Sequence, residues 1–304
     1  MNTLDERLTT RRKLLESLKT SIPWLVSGGK SLHLPRTSRY QTEKIPDDNV
    51  AQVNPEFVDP LEISTGIPSL EDLLLSNGGQ PPYTFILGQC DDGLPLTLNL
   101  TNPASGSLLL AGDHESGKTR LLRSILSSVT MISPADQVLF FILTNNRHEY
   151  TDLAELDNCK KLLTYQDKAA ARLIPDLYEE SEKRRSKPSD AVVIVAIDEL
   201  SQYLQSLDST SLFQFLRLIK HGPRLGIWIL ATLTSTELDQ IDPVIVEAFR
   251  THLIGYLSDP VQATFLAHDA TCPAQELSKG VQWLVPMSGY WVSFRICDPG
   301  GGVS

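Results

Sequence analysis

At 304 residues, 41% of them hydrophobic, the chain is long enough for one or two domains with a sizeable core. A net charge of −10 argues against nucleic-acid binding through the overall field, and the four cysteines, Cys90, Cys159, Cys272 and Cys297, form no C-x-x-C pair, which sets aside a zinc site or a disulfide scaffold. No apolar run approaches the roughly 18 residues of a membrane helix, and the polar N-terminus is no signal peptide, so a cytoplasmic protein without membrane insertion is expected.

Residues 3–18 place Leu4, Leu8, Leu15 and Leu18 on one helical face, beside Arg7, Arg11, Arg12, Lys13 and Lys19. Two readings are open: a helix packed on its own domain with a solvated basic face, or a docking helix for a protein partner or neighbouring subunit. From 27 to 60, Gly28, Gly29, Pro35, Pro46, Pro55 and Pro60 interrupt polar sequence, as in an extended linker or wrapping arm. Residues 69–75 predict a short helix. The break from Asn77 through Gly78 and Gly79 to Pro81 and Pro82 marks the expected boundary between an N-terminal arm (1–80) and a larger domain (81–304).

The domain opens with two strand signals, 83–87 and 94–100, joined by a turn at Asp91, Asp92 and Gly93. A third apolar run, 108–111, leads into Gly112, Asp113, His114, Glu115, Ser116, Gly117, Lys118 and Thr119, which fit G-x-x-x-x-G-K-[ST]. Leu121, Leu122, Ile125, Leu126, Val129 and Ile132 follow at helical spacing, so the motif lies between a strand and a helix, the context that makes it a phosphate-binding loop. Gly112 and Gly117 let the backbone turn its N–H groups inward, and the helix N-terminus adds a positive dipole end. Lys118 would reach the β- and γ-phosphates of ATP, and Thr119 would hold Mg²⁺.

Further strands are expected at 137–143, 191–197, 227–231, 252–257, 281–285 and 290–296. Helices are expected at 167–185, bent or restarted at Pro175, and at 211–221. Asp242 and Asp259, each followed by proline, mark two more helix starts. Alternation of strand and helix from 108 to 257 implies a mostly parallel sheet. The strand at 191–197 closes with Asp198 and Glu199, an apolar run ending in two acids beside the phosphate loop. Asp198 would orient Mg²⁺, and Glu199 would polarise the attacking water. A polar sensor is expected at the end of the next strand, near Thr232, Leu233 and Thr234. Arg217, Arg224 and Arg250 are candidates for an arginine acting on a neighbouring subunit's site, or are surface arginines. Arg120, Arg123 and the basic residues of 183–187 are expected on solvated faces.

The order of these segments resembles the motor domain of the FtsK/SpoIIIE family, within the FtsK–HerA group, over residues 83–296. The resemblance rests on the hairpin before the loop, on Ala111, Gly112 and Ser116 within it, on the acidic-to-basic helix at 177–185, on 194–200, and on the segment from Gly222 to Thr232. It departs at Leu233, where the family carries glutamine, and at Trp228, where it carries histidine. It implies an α/β fold: a RecA-like P-loop NTPase core with a mostly parallel sheet flanked by helices, preceded by a β-hairpin and an N-terminal helical or extended arm. It also implies a homohexameric ring that binds ATP and Mg²⁺ and moves duplex DNA. Three readings stay open: a DNA translocase, a nucleotide-dependent binding module with weak or no hydrolysis, and a polypeptide-secretion motor.

Overall fold

The computed structural model describes residues 67–287 and 290–298; the expected helix at 3–18 and the arm after it lie outside these. A single sheet runs through the described residues, with strand order β2-β1-β10-β9-β8-β3-β7-β6-β4-β5. Its strands are β1 (Thr84–Cys90), β2 (Pro95–Asn99), β3 (Leu108–Gly112), β4 (Val138–Leu143), β5 (Cys159–Leu163), β6 (Val192–Ile197), β7 (Ile227–Thr234), β8 (Thr251–Ile254), β9 (Gln282–Met287) and β10 (Tyr290–Arg295). The run from β8 to β5 is parallel throughout, whereas β9, β10, β1 and β2 add an antiparallel wing. Longer helices cover the sheet: α2 (Lys118–Ile132), α4 (Lys168–Ser186) and α6 (Ser209–His221). Shorter ones are α1 (Leu70–Ser76), α3 (Thr151–Ala154), α5 (Leu200–Ser206), α7 (Pro243–Val246) and α8 (Pro260–Ala267). This is the RecA-like P-loop NTPase architecture that the sequence resemblance implies.

The period of two along the strands decides which side chains meet the phosphate loop. Leu108 and Leu110 of β3, Trp228 and Leu230 of β7 and Ile194 and Ala196 of β6 share one core with Leu121, Leu122, Ile125, Leu126 and Val129 of α2. Their odd-numbered neighbours, such as Ile229, Ala231 and Leu233, are as fully buried on the other face. The phosphate loop therefore leaves the centre of the sheet with apolar layers on both sides.

Helix α2 also supports the antiparallel wing. The pairing of β1 with β2 shifts register between Ile86 and Gly88. The Ile86 N–H donates to Ser128 Oγ of α2 at 2.9 Å, and the Tyr83 N–H to Ser133 Oγ at 3.0 Å. Helix α1 packs Leu70 and Leu73 against Ile86 and Cys297, and an isolated parallel bridge joins Ser69 to Asp298.

Three details differ from the sequence expectations. Helix α4 runs unbroken through Pro175, because Leu173, Ile174 and Leu177 stay buried on its packing face. Strand β5 carries exposed Lys160 and Lys161 and closes the sheet edge, so it lacks the apolar run that marks the inner strands. Arg184, expected on a solvated face, is 7% exposed; its Nη1 donates to Ala191 O at 2.7 Å and Leu225 O at 3.0 Å, and its Nε to Glu180 at 3.1 Å. The expected caps hold: Asp242 accepts the Val244 N–H and Asp259 the Val261 N–H.

Candidate active site

At the C-terminal end of β3 the loop from Gly112 to Gly117 turns into α2. Gly117 has φ +90°, and a Cβ there would stand 3.0 Å from both Gly280 O and Ile296 Cδ1. A Cβ on Gly112 would meet Ser116 Oγ at 2.5 Å, so the loop has room for neither side chain. Ser116 is fully buried against Gly112, whereas His114 and Glu115 are exposed at the rim, where Lys279 stands 3.6 Å from Glu115. Asp113 points elsewhere: its carboxylate accepts Ser235 Oγ at 2.5 Å and both the N–H and Oγ of Ser258, at 2.9 and 2.7 Å. Its own N–H donates to Tyr256 O. Desolvation pushes the Asp113 carboxyl up, but the bonds from Ser235 and Ser258 outweigh it and hold the group below the usual carboxylate range. Asp113 thus ties the loop to the ends of β7 and β8.

Lys118 folds over the loop and donates to Gly112 O at 3.2 Å and Asp113 O at 2.7 Å. Burial pulls its ammonium pKa down, opposed by the charges of Asp198, Glu237, Asp113 and Glu199. Thr119 Oγ1 stands 3.2 and 3.4 Å from the two oxygens of Asp198. These are all oxygen donors, the set a hard divalent cation takes.

Strand β7 lies between β3 and β6, so the acids of β6 reach the phosphate loop across an intervening strand. Thr232 makes that link. Its hydroxyl donates to Asp198 Oδ1 at 2.8 Å and accepts the Glu199 N–H at 2.7 Å. Thr232 and Thr234 belong to the even-numbered face that meets α2, and both line the cavity; Leu233 faces the opposite core with no exposure. Of the three positions at which a polar sensor is expected, Thr232 and Thr234 line the cavity and Leu233 does not.

Glu199 sits at φ +67°, ψ +71°, left-handed backbone that a non-glycine residue adopts at a cost of roughly 1–2 kcal/mol. Desolvation raises its pKa, and so do the charges of Asp198 and Glu237; Lys118 opposes them. The cavity over these groups measures about 640 Å³ and is walled by Lys118, Thr119, Asp198, Glu199, Thr232 and Thr234; Arg123, Glu149 and Asp298 also line it.

The structure adds residues that the sequence reading passed over. Glu237 follows β7, bears electrostatically on Lys118 and Glu199, and keeps its Oε2 buried without a hydrogen-bond partner. Tyr150, fully buried, donates to Asp198 Oδ2 at 3.0 Å. Arg123, expected on a solvated face, is 23% exposed; it pairs with Asp152 at 2.8 Å and lines the cavity. No run of apolar residues points to Tyr150 or Glu237, since both lie in short turns after strands.

The three candidate arginines lie elsewhere. Arg250 precedes β8 and packs on Gly106, and Arg224 precedes β7, so both sit at the strand ends opposite the phosphate loop. Arg224 lines a separate cavity of about 490 Å³ with Tyr83, Leu100 and Asp190. Arg217 lies near the C-terminal end of α6, which leads back to that same edge. None lines the cavity of its own chain.

No protein-family model and no curated protein sequence matches this chain. Solved structures do. EssC (ATPases 2 and 3) from Geobacillus thermodenitrificans superposes with a TM-score of 0.61 at 16% identity, over 75% of this chain and 47% of that one. Thermomonospora curvata EccC (ATPases 2 and 3), in complex with a signal sequence peptide, gives 0.61 at 16% identity over 77% and 43%. The pCW3 conjugation coupling protein TcpA, with ATPγS, gives 0.62 at 17% identity over 77% and 70%. The chain thus spans less than half the length of the EssC and EccC structures. What the chain shares with these ATPases is the fold.

Proposed function

We propose that the chain is the ATP-hydrolysing motor domain of an FtsK/SpoIIIE-type translocase that acts on duplex DNA as a homo-oligomeric ring, a hexamer by that resemblance. The observation that carries this reading is Thr232, whose hydroxyl joins Asp198 and Glu199 while Asp198 meets Thr119, so that loop and acids form one connected site. The N–H groups of the loop and the N-terminus of α2 would hold the phosphates of ATP, with Lys118 as counter-charge. Thr119 and Asp198 would hold Mg²⁺, which supplies charge neutralisation at the phosphate oxygens when bound. Glu199 would accept the proton of the attacking water. Arg217, Arg224 or Arg250 would complete the site only from a neighbouring subunit whose opposite edge faces this cavity. The leucine-bearing, basic segment 3–18 would dock a protein partner or the next subunit, and the protein would work in the cytoplasm.

A second reading, a polypeptide motor, draws on the net charge of −10 and on the fold shared with EccC, seen with a signal sequence peptide. A third reading is a nucleotide-dependent binding module with weak or no hydrolysis, suggested by Leu233 where the family carries glutamine. The deciding experiment measures ATP turnover with duplex DNA, with an unfolded acidic or basic polypeptide, and with neither. DNA stimulation that fades with salt is the expected result, since phosphate contacts dominate DNA affinity. Stimulation by polypeptide alone would favour the second reading, and absent turnover the binding module. Lys118→Ala should abolish nucleotide binding. Glu199→Gln should keep binding and lose turnover by about 100-fold or more.

A further inference from the structure

The Asp198 carboxylate lines the cavity and is held by three hydroxyls. Oδ1 accepts Thr232 Oγ1 at 2.8 Å, Oδ2 accepts Tyr150 at 3.0 Å, and Thr119 Oγ1 stands 3.2 and 3.4 Å from the pair. Thr119 and Thr232 come from the phosphate loop and the adjoining strand, as the sequence led one to expect. Tyr150 comes from neither. It ends the short turn Arg147–Tyr150 after β4, with its ring in the core beneath α2. Arg123 of α2 clamps the residues around it, bonding Asp152 at 2.8 Å and standing 4.0 Å from Glu149.

We propose that Tyr150 is a positioning residue: its hydroxyl fixes the Asp198 carboxylate in the plane that presents it to Thr119, and so sets how strongly a divalent cation tightens nucleotide binding. The proposal rests on the nucleotide-binding reading above. A carboxylate turns about its last bond; Thr232 holds only Oδ1, and Thr119 Oγ1, at 3.2 and 3.4 Å from the two oxygens, is shared between them, so neither pins Oδ2. Tyr150 takes the other oxygen from a second direction. Its ring is anchored by the core, and its turn by the Arg123–Asp152 pair. The phenol is not itself in the cavity wall, so it acts through Asp198.

The test uses Tyr150→Phe in the full chain, with a fluorescent ATP analogue titrated in Mg²⁺ and again in EDTA. The ratio of the two affinities should fall about tenfold in the variant, the size of a lost hydrogen bond to a charged group. The EDTA affinity should stay within about twofold, because loop N–H groups and Lys118 bind phosphate without Asp198. An unchanged ratio overturns the proposal. Equal loss in Mg²⁺ and EDTA also overturns it, since that marks a structural role only. Asp152→Asn loosens the same turn from the surface and should lower the ratio in the same direction by about twofold; should Tyr150→Phe fail to fold, a full ratio in Asp152→Asn overturns the proposal. Absence of any Mg²⁺ effect in the unsubstituted protein would sink the nucleotide reading itself, a result distinct from either.

Discussion

Asp113 shows how much of this site depends on side chains that face away from it. It occupies the second position of the loop motif, where the pattern admits any residue, and its carboxylate takes three hydrogen bonds from Ser235 and Ser258. Asp113→Ala should leave the fold intact but lower affinity for ATP about five- to tenfold, because the loop loses its attachment to β7 and β8; a nucleotide titration alongside melting curves would check this. Asp113→Asn should recover part of the loss, since its amide oxygen still accepts. The motif positions Gly112, Gly117, Lys118 and Thr119, and the acids Asp198 and Glu199, were legible in the sequence because each is fixed by spacing from a strand end. Tyr150 and Glu237 were not. They reach the site through tertiary packing of short turns, and nothing in their local sequence separates them from other turn residues. Leu233 shows the converse: the sequence offers Thr232, Leu233 and Thr234 together at the strand end, and the pleat separates the two threonines that line the cavity from the leucine that is buried away from it.

Among elements, α2 carries the widest set of obligations. Its N-terminus faces the cavity, its apolar face fills the core beneath β3, β6 and β7, and its serines finish the hydrogen bonding of β1. Ser128 is buried, and its hydroxyl is the acceptor for an Ile86 N–H next to the register shift of β1. Ser128→Ala should cost about 1–3 kcal/mol, the penalty for stranding a buried amide, visible as a lower urea midpoint with little change in slope. The inner strands could be placed from sequence because they are continuous apolar runs, as parallel strands buried on both faces must be. Strand β5 escaped for the opposite reason: an edge strand protected by Lys160 and Lys161 reads as polar connection. Pro175 suggested a break in α4 that packing on its buried face overrides.

For the molecule as a whole, the strand order was beyond reach of the sequence. Periodicity gives the strands but not their neighbours, and the placing of β7 between the phosphate-loop strand and the acid-bearing strand is a fact of topology. That placing turns Thr232 from a strand residue into the hinge-pin of the site. The same topology sends Arg217, Arg224 and Arg250 to the far edge, away from the cavity of their own chain. The bridge between Ser69 and Asp298 gives a further consequence. Asp298 lines the cavity, and its carbonyl accepts the Leu70 N–H at 3.0 Å while its own N–H donates to Pro68 O at 2.8 Å. A ligand that fills the cavity against Asp298 should steady its bridge to Ser69 and Leu70. The Leu70 amide should therefore exchange with solvent more slowly, by about tenfold or more, when ATP is bound. A hydrogen-exchange experiment with and without nucleotide would read the occupancy of the pocket at this bridge.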